Sequence, residues 1–210
     1  MEINEKEEIA IFGYHDSLVG QFLEYSNVEK IYNVKYFLTV NHIKEINITE
    51  EHKKRPNNKT EFIDNKKIFG KPIYGGDYIA RLLDDGISKV FVLEGDIKLR
   101  SEVIAQLNIA EIEVLSFIHN SVFIGGKNDF GNGVIIFPRC YIGYKADIGS
   151  GTIIQNNSII EHHNVVGTCC DINPNVTTGG FTYIGDLVTI HISTTIINKI
   201  RIGDCCRVGA

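Results

Sequence analysis

The sequence lacks any excess of positive charge and any long apolar segment. Its 210 residues include 21 basic and 26 acidic ones, so the formal net charge is −5. This balance gives no electrostatic footprint for DNA or RNA, and we expect no nucleic-acid partner. No apolar stretch approaches the roughly 20 residues that a membrane span needs. The first eight residues are acidic and polar, where a secretory signal is basic and then apolar. We therefore expect a cytoplasmic protein without a membrane partner.

The spacing of the cysteines supports neither of two classes of site. The total of five is odd, and no Cys-x-x-Cys motif occurs. Neither a disulfide framework nor a zinc site is therefore supported, and we expect no metal. Cys169-Cys170 and Cys205-Cys206 are two vicinal pairs in the second half of the chain. We expect them to be reduced and to fill the wall of the repeat described below.

Tryptophan is absent and proline occurs four times, whereas glycine occurs 20 times. Thirteen of these glycines follow residue 117. Charge divides at the same place, because residues 1–117 hold 15 basic and 20 acidic residues and residues 118–210 hold six of each. This change of composition predicts two domains, 1–117 and 118–210.

The second half is a repeat of six residues. In the register that runs from Ile118 to Val208, fourteen of sixteen positions are Ile or Val, and the exceptions are Phe130 and Thr178. Glycine follows nine of them, and the fifth place of the hexad is usually small or β-branched. A period of six fits neither an α-helix nor simple alternation. It is typical of a β-helix of short strands with inward aliphatic side chains, in which we expect glycine to relieve backbone strain at the corners.

The first half alternates short apolar runs with amphipathic stretches. Strands are predicted at 9–12, 36–40, 89–93 and 114–117, and helices at 18–25, 77–85 and 97–107. This alternation is typical of a parallel α/β sheet. The polar stretch 41–67 is predicted to be a long surface excursion.

The first predicted strand ends in the turn Gly13-Tyr14-His15-Asp16-Ser17. In parallel sheets, ligands bind beyond the carboxyl ends of strands, and such a turn offers phosphate backbone N–H groups and a helix N-terminus. The turn lacks a full Gly-x-Gly-x-x-Gly motif, so a plain tight turn capped by Asp16 or Ser17 is the alternative.

The pattern [Ile/Val]-Gly-x-x-[small]-x resembles the hexapeptide-repeat acyltransferases, whose repeats wind a left-handed three-sided prism with three hexads per coil. Both halves together resemble the bacterial sugar acetyltransferases of this family. That resemblance rests on the Gly13 turn and on residues 92–100, 117–121 and 158–162. It implies an α/β Rossmann-like N-terminal domain that binds a nucleotide-sugar, followed by an all-β left-handed parallel β-helix. It also implies a homotrimer that binds acyl-CoA between neighbouring prisms.

The resemblance implies His162, in Ile-Ile-Glu-His, as the catalytic general base, and histidine has a pKa of about 6.5 that suits this role. The resemblance also implies His163 as the second member of the catalytic pair, at the position where relatives carry Glu or Asp. A neutral imidazole accepts a hydrogen bond but cannot supply a carboxylate's charge. Gly180 matches the glycine whose N–H meets the thioester carbonyl, and Asp171 stands where relatives have a second histidine near acyl-CoA.

The substrate-binding residues implied are Gly13, Tyr14, His15, Asp16, Asn41 and Gln155. Gln155 stands where relatives have asparagine, whereas His119 and His191 have no motif support and are interpreted as structural. The family's prism continues through Gly-Ala-Gly-x-x-Val into a capping element, so we expect that this sequence ends before its cap.

The function implied is acetyl-CoA-dependent N-acetylation of a UDP-linked 4-amino-4,6-dideoxy sugar for bacterial surface glycans. Two alternatives stay open. One is O-acetylation of a sialic-acid-like sugar, and the other is an inactive trimeric scaffold, which the departures at His163 and Asp171 favour.

Overall fold

The computed structural model of the chain describes residues 6–40 and 67–209. Contacts divide these residues into two compact units. The first holds residues up to 95 together with 106–113, and the second holds 96–105 together with 114–209. These units differ from the predicted domains, 1–117 and 118–210, because residues 96–105 belong with the repeat. The predicted excursion at 41–67 lies outside the described residues except for Lys67, and so does the predicted substrate ligand Asn41.

The first six strands form one sheet. They are β1 (Glu8–Phe12), β2 (Asn33–Thr39), β3 (Lys67–Ile68), β4 (Lys71–Gly75), β5 (Lys89–Val92) and β6 (Glu113–Val114). Their order is β3-β4-β2-β1-β5-β6. β1 pairs in parallel with β2 and β5, β2 pairs in parallel with β4, and only the β3–β4 pair among these is antiparallel. The predicted parallel sheet is therefore confirmed.

Helical segments connect these strands. They are a π-helical turn (Asp16–Gly20), α1 (Gln21–Ser26), α2 (Val28–Ile31), α3 (Tyr78–Asp84) and α4 (Ile97–Ile109). α3 begins where expected because the Asp77 carboxylate accepts a hydrogen bond from the Ala80 N–H at 2.9 Å. The sequence did not predict β4, since Pro72 and Gly75 interrupt its apolar pattern.

Sixteen two-residue strands follow in the second unit. They are β7 (Phe117–Ile118), β8 (Phe123–Ile124), β9 (Asp129–Phe130), β10 (Ile135–Ile136), β11 (Tyr141–Ile142), β12 (Asp147–Ile148), β13 (Ile153–Ile154), β14 (Ile159–Ile160), β15 (Val165–Val166), β16 (Asp171–Ile172), β17 (Thr177–Thr178), β18 (Tyr183–Ile184), β19 (Thr189–Ile190), β20 (Thr195–Ile196), β21 (Arg201–Ile202) and β22 (Arg207–Val208). They form three parallel sheets, and each strand pairs in register with the strand 18 residues further on, as Ile136 does with Ile154. The predicted coil of three hexads is confirmed.

The first residues of the hexads stack inside the prism. Ile136, Ile154, Ile172 and Ile190 are 0% exposed and belong to one apolar cluster. Burial of this ladder removes apolar surface from water at every coil, and it is the main stabilising contribution to the prism.

At the corners of the prism, glycine has a different role from the one expected. The fourth residue of each hexad from Lys127 to Cys205 is left-handed, with φ between 49° and 71°, and only Gly133 and Gly151 among them are glycine. None of the nine second-place glycines has a positive φ. A Cβ at Gly143 would instead lie 2.5 Å from the backbone nitrogen of His162 in the next coil. Glycine is required there because consecutive coils approach closely, so the expectation of strain relief was wrong.

The cysteines divide into two groups. Cys140, Cys169 and Cys170 are buried, whereas Cys205 and Cys206 are exposed. Packing in the prism wall is thus confirmed for Cys169 and Cys170 and wrong for the second pair. Within residues 6–40 and 67–209, no group of three His, Cys, Asp or Glu side chains is arranged to hold a metal ion. None of the helices in the described ranges is long and apolar enough to cross a membrane.

Candidate functional site

The corner between β14 and β15 carries two adjacent histidines. It consists of Glu161, His162, His163 and Asn164, and His163 takes the left-handed conformation, with φ of 58°. His162 is exposed and His163 is half-buried, whereas Asn164 is fully buried. The backbone of this corner is held to the neighbouring coils, since the His163 N–H donates to the Tyr144 carbonyl and the Phe181 N–H donates to the His162 carbonyl.

The two imidazoles are hydrogen-bonded to each other. The Nδ1 atoms of His162 and His163 are 3.1 Å apart, and the rings are nearly perpendicular, at 87°. One Nδ1 must carry the proton and the other must accept it, because a ring nitrogen is either a donor or an acceptor. When His162 Nδ1 is the donor, its Nε2 is unprotonated and can accept a proton from a ligand. The geometry therefore couples the protonation of one ring to the tautomer of the other.

Two aromatic rings frame this pair. Phe181 stacks on His163, with ring centroids 4.6 Å apart and an interplanar angle of 13°, and meets His162 edge-on at 5.3 Å. Tyr144 meets His163 edge-on at 5.7 Å. The rings come from three successive coils at the same corner, so the in-register stacking of the prism assembles the group. The sequence analysis did not predict the ring contacts of Phe181 and Tyr144. These contacts join residues about 18 positions apart, which are neighbours only in the stacked coils.

Gly180 lies against the His162 ring. A Cβ at residue 180 would lie 2.5 Å from Cε1 and 2.7 Å from Nε2 of His162. The Cε1–Nε2 side of the imidazole therefore lies where a side chain at residue 180 would be, while Nδ1 is bonded to His163. Three predicted site residues, His162, His163 and Gly180, are brought together at one corner.

Asp171 and Gln155 lie elsewhere on the prism. Gln155 follows β13, at a different corner from His162. Asp171 begins β16, and its Oδ1 accepts a hydrogen bond from Arg100 Nη2 at 2.6 Å. Burial raises the pKa of the Asp171 carboxyl, and the Arg100 guanidinium opposes this effect. The predicted contact of Asp171 with acyl-CoA stays a prediction, but its carboxylate already has a strong partner.

Arg100 was not identified from the sequence as a buried residue. It lies on α4 and is 0% exposed. Its Nε donates to the Gly151 carbonyl at 2.9 Å, and Nη2 also lies within reach of the Cys169 and Cys170 carbonyls, at 3.2 and 3.3 Å. A guanidinium with this many acceptors is stable without water. Arg100 and Asp171 therefore fix the start of α4 against the repeat.

The Gly13 turn follows β1 in the first unit. Gly13 has φ of +123°, and a Cβ there would collide with the Leu93 carbonyl oxygen, so only glycine fits. The Gly13 N–H donates to the Leu38 carbonyl at 3.0 Å, so this donor is already used within the sheet. His15 precedes the π-helical turn, stacks on Tyr14, and makes no side-chain capping bond. The π-helical turn includes both Asp16 and Ser17, and the alternative of a tight turn capped by one of them stays a prediction.

Comparisons with known proteins show likeness at the level of structure. No protein-family model and no curated protein sequence matches the chain. It is similar to a mutant of GDP-perosamine N-acetyltransferase from Caulobacter crescentus in complex with CoA and GDP-perosamine. The TM-score is 0.78 at 19% identity, over 97% of this chain and 86% of that one.

Two further solved structures are similar. One is the acetyltransferase domain of PglB from Neisseria gonorrhoeae in complex with acetyl coenzyme A, with a TM-score of 0.67 at 14% identity over 97% of this chain and 93% of that one. The other is WeeI from Acinetobacter baumannii, with a TM-score of 0.53 at 14% identity over 96% and 89%. At these identities the likeness shows the fold, and the parallel sheets of short repeated strands fit a left-handed β-helix.

Proposed function

We propose that the chain is an acetyl-CoA-dependent N-acetyltransferase that modifies a nucleotide-linked 4-amino-4,6-dideoxy sugar. The observation that carries the proposal is the arrangement of His162 between two partners, with Nδ1 3.1 Å from His163 Nδ1 and the Cε1–Nε2 side beside Gly180. Support comes from the similar structures, which are named as sugar N-acetyltransferases or hold CoA, acetyl coenzyme A or GDP-perosamine.

In this proposal His162 is the general base. The sugar amine forms a bond to the acetyl carbonyl carbon, and His162 Nε2 takes the proton that the amine loses. The carbon–sulfur bond then breaks, and the departing thiolate receives that proton from the imidazolium. Gly180 stabilises the oxyanion through its backbone N–H, a role that requires the absence of a side chain beside His162.

His163 is the positioning residue of the pair. It accepts a hydrogen bond from His162 Nδ1–H and therefore carries its own proton on Nε2. This arrangement selects the His162 tautomer that has a free Nε2, which is the role of the carboxylate in relatives. His163 adds no negative charge, so the imidazolium that forms on His162 is stabilised less than it would be beside Asp or Glu.

The first unit supplies the site for the nucleotide-sugar in this account. It is a Rossmann-like domain, and the carboxyl end of β1 presents Gly13, Tyr14, His15 and Asp16 to the nucleotide. Gln155 and Asn41 stay predicted substrate ligands, and Asp171 remains a candidate ligand of acyl-CoA. A cytoplasmic homotrimer, with acyl-CoA between neighbouring prisms, is the assembly that we propose.

A substrate panel tests this proposal. The chain is incubated with acetyl-CoA and with GDP- or UDP-linked 4-amino-4,6-dideoxy sugars, and free CoA and acetylated sugar are separated by chromatography. Thiol reagents are avoided because Cys205 and Cys206 are exposed and react with them. We expect one added acetyl group on the amine for each CoA released. O-acetylation of a CMP-linked or free nonulosonic acid, with all amino sugars unchanged, would contradict the proposal.

A further inference from the structure

Thr178 interrupts the aliphatic ladder inside the prism. It is 0% exposed and pairs in register with Ile160 on one side and Ile196 on the other. Phe130, the other exception to Ile or Val, is apolar. Placing a hydroxyl in an apolar stack costs free energy unless its hydrogen bonds are made. The position therefore points to a role that an aliphatic side chain cannot fill.

The Thr178 hydroxyl is fully engaged with the corner that carries the histidines. Oγ1 donates to the Ile159 carbonyl at 3.2 Å, and it accepts from the Glu161 N–H at 3.2 Å and from Asn164 Nδ2 at 2.5 Å. Asn164 Oδ1 in turn accepts from the Thr182 N–H at 2.7 Å. One donated and two accepted bonds use the full capacity of a hydroxyl.

We propose that Thr178 is a positioning residue for the His162–His163 pair, an inference that rests on the proposed function. Its hydroxyl fastens Glu161 and Asn164, the two residues that flank the histidines. Both ends of the four-residue corner are thereby tied to one buried atom. The Nδ1–Nδ1 distance of 3.1 Å is near the long end of the hydrogen-bond range, so a shift of a few tenths of an ångström at either end weakens the bond.

An equivalent corner earlier in the repeat can be compared with the histidine corner. Asn128 occupies the same place as Asn164, two coils earlier, and its Oδ1 likewise accepts from the next coil, from the Ala146 N–H at 3.0 Å. Its Nδ2, however, donates to the Gly125 carbonyl of its own corner at 3.0 Å. Ile142 stands there in place of Thr178, and that corner carries no histidine. The hydroxyl contact thus belongs to the histidine corner and not to the repeat as such.

Variants at residue 178 separate the hydroxyl from the shape of the side chain. Thr178→Val keeps the shape and restores the Ile/Val pattern, whereas Thr178→Ser keeps the hydroxyl. The matched control is Thr152→Val, because Thr152 is equally buried and its Oγ1 donates to the Gly167 carbonyl and accepts from the Cys170 N–H. We expect Thr178→Val to lower kcat about tenfold or more, since small misplacement of catalytic groups costs this much. KM for acetyl-CoA stays within about twofold, and Thr178→Ser and Thr152→Val keep the parental kcat within about threefold.

A double substitution distinguishes positioning from a general loss of structure. In a His162→Ala background, Thr178→Val leaves the residual rate unchanged if Thr178 acts through His162. An equal loss of rate in both backgrounds would overturn the proposal, as would a parental kcat in Thr178→Val. A His162→Ala variant with full activity would instead contradict the proposed function. Thr178→Ala replaces Thr178→Val if the valine variant does not fold.

A measurement without turnover completes the test. With 15N-labelled histidine, the parent should show one protonated and one unprotonated Nδ1 for the pair, assigned with His162→Ala and His163→Ala. In Thr178→Val both rings should show the averaged shifts of exchanging tautomers, while Thr152→Val keeps the parental spectrum. Unchanged His162 and His163 resonances in Thr178→Val would overturn the positioning role even if no substrate is turned over.

Discussion

Gly180 lies beneath the imidazole of His162, so closely that a Cβ at residue 180 would lie 2.5 Å from Cε1. The glycine and the histidine belong to successive coils, and the parallel register of β14 and β17 brings them together. Because residue 180 has no side chain, the Cε1–Nε2 side of His162 stays uncovered there, while Nδ1 is bonded to His163.

Gly180→Ala should displace the His162 ring and lower kcat. The expected loss is about tenfold to a hundredfold, since an ångström of misplacement has this effect. Gly126→Ala is the matched control, because Gly126 occupies the same place at the same prism corner and a Cβ added there would have no atom within 4 Å. Steady-state kinetics and thermal unfolding of both variants check the prediction. Equal kcat in the two variants would show that the His162 position does not matter.

His163→Asp should raise kcat. A carboxylate stabilises the imidazolium that forms on His162 as the sugar amine loses its proton, whereas a neutral imidazole supplies no negative charge. Asp also tolerates the left-handed backbone of residue 163, with its φ of 58°. We expect a gain of about threefold, or about 0.7 kcal/mol in the barrier. His163→Asn is the control, because it has nearly the same shape without the charge, and an equal gain in it would contradict the electrostatic explanation.

Arg100→Met should destabilise the second unit strongly. It removes the donor to the Asp171 carboxylate and to the buried Gly151 and Cys169 carbonyls, and breaking such a pair costs about 3–5 kcal/mol in the free energy of unfolding. Lys35→Met breaks the half-exposed Lys35–Glu8 pair and should have much the smaller effect, because water screens an exposed ion pair. Denaturant unfolding of both variants measures the difference. If Asp171→Asn raised KM for acetyl-CoA without loss of stability, Asp171 would be a ligand of acyl-CoA and not a partner of Arg100.

Alkaline pH should destabilise the prism through its buried thiols. Burial raises the pKa of Cys140 and of Cys170 to about 11. The folded state therefore retains both protons where the unfolded chain releases them, above about pH 8.5. The sign follows from this linkage, so the free energy of unfolding falls as pH rises from about 9 to about 11. Cys140→Ala and Cys170→Ala each remove one of these thiols and should flatten this slope in denaturant titrations. Alanine is a suitable replacement because Ala146 already fills the same place of its hexad. A slope unchanged in both variants would assign the pH dependence to other groups.

The sequence predicted a β-helix because an aliphatic residue recurs every six positions, and Ile118 to Val208 keep that register without a break. The coil of three hexads came instead from the family resemblance. The six-residue pattern does not predict the backbone conformation of the corners between the strands. Glycine after the aliphatic residue was interpreted as a strain-relieving residue, whereas the left-handed residue is two places later and is usually not glycine.

The candidate site was predicted in part. His162, His163 and Gly180 came from resemblance, and the structure brings them to one corner. Phe181, Thr178 and Arg100 were not predicted, because their roles arise from contacts between coils and from a helix far away in the chain. A single sequence shows which residues recur every six positions, but not which of them face a histidine.

The most direct test of the account is the rate of acetyl transfer after removal of the base. His162→Ala is compared with His191→Ala, an exposed histidine at another corner, at saturating acetyl-CoA and 4-amino sugar nucleotide. The account predicts that His162→Ala loses about a hundredfold or more in kcat, as expected for a general base, while His191→Ala keeps the parental value. A His162→Ala variant that acetylates the sugar as fast as the parent would contradict it.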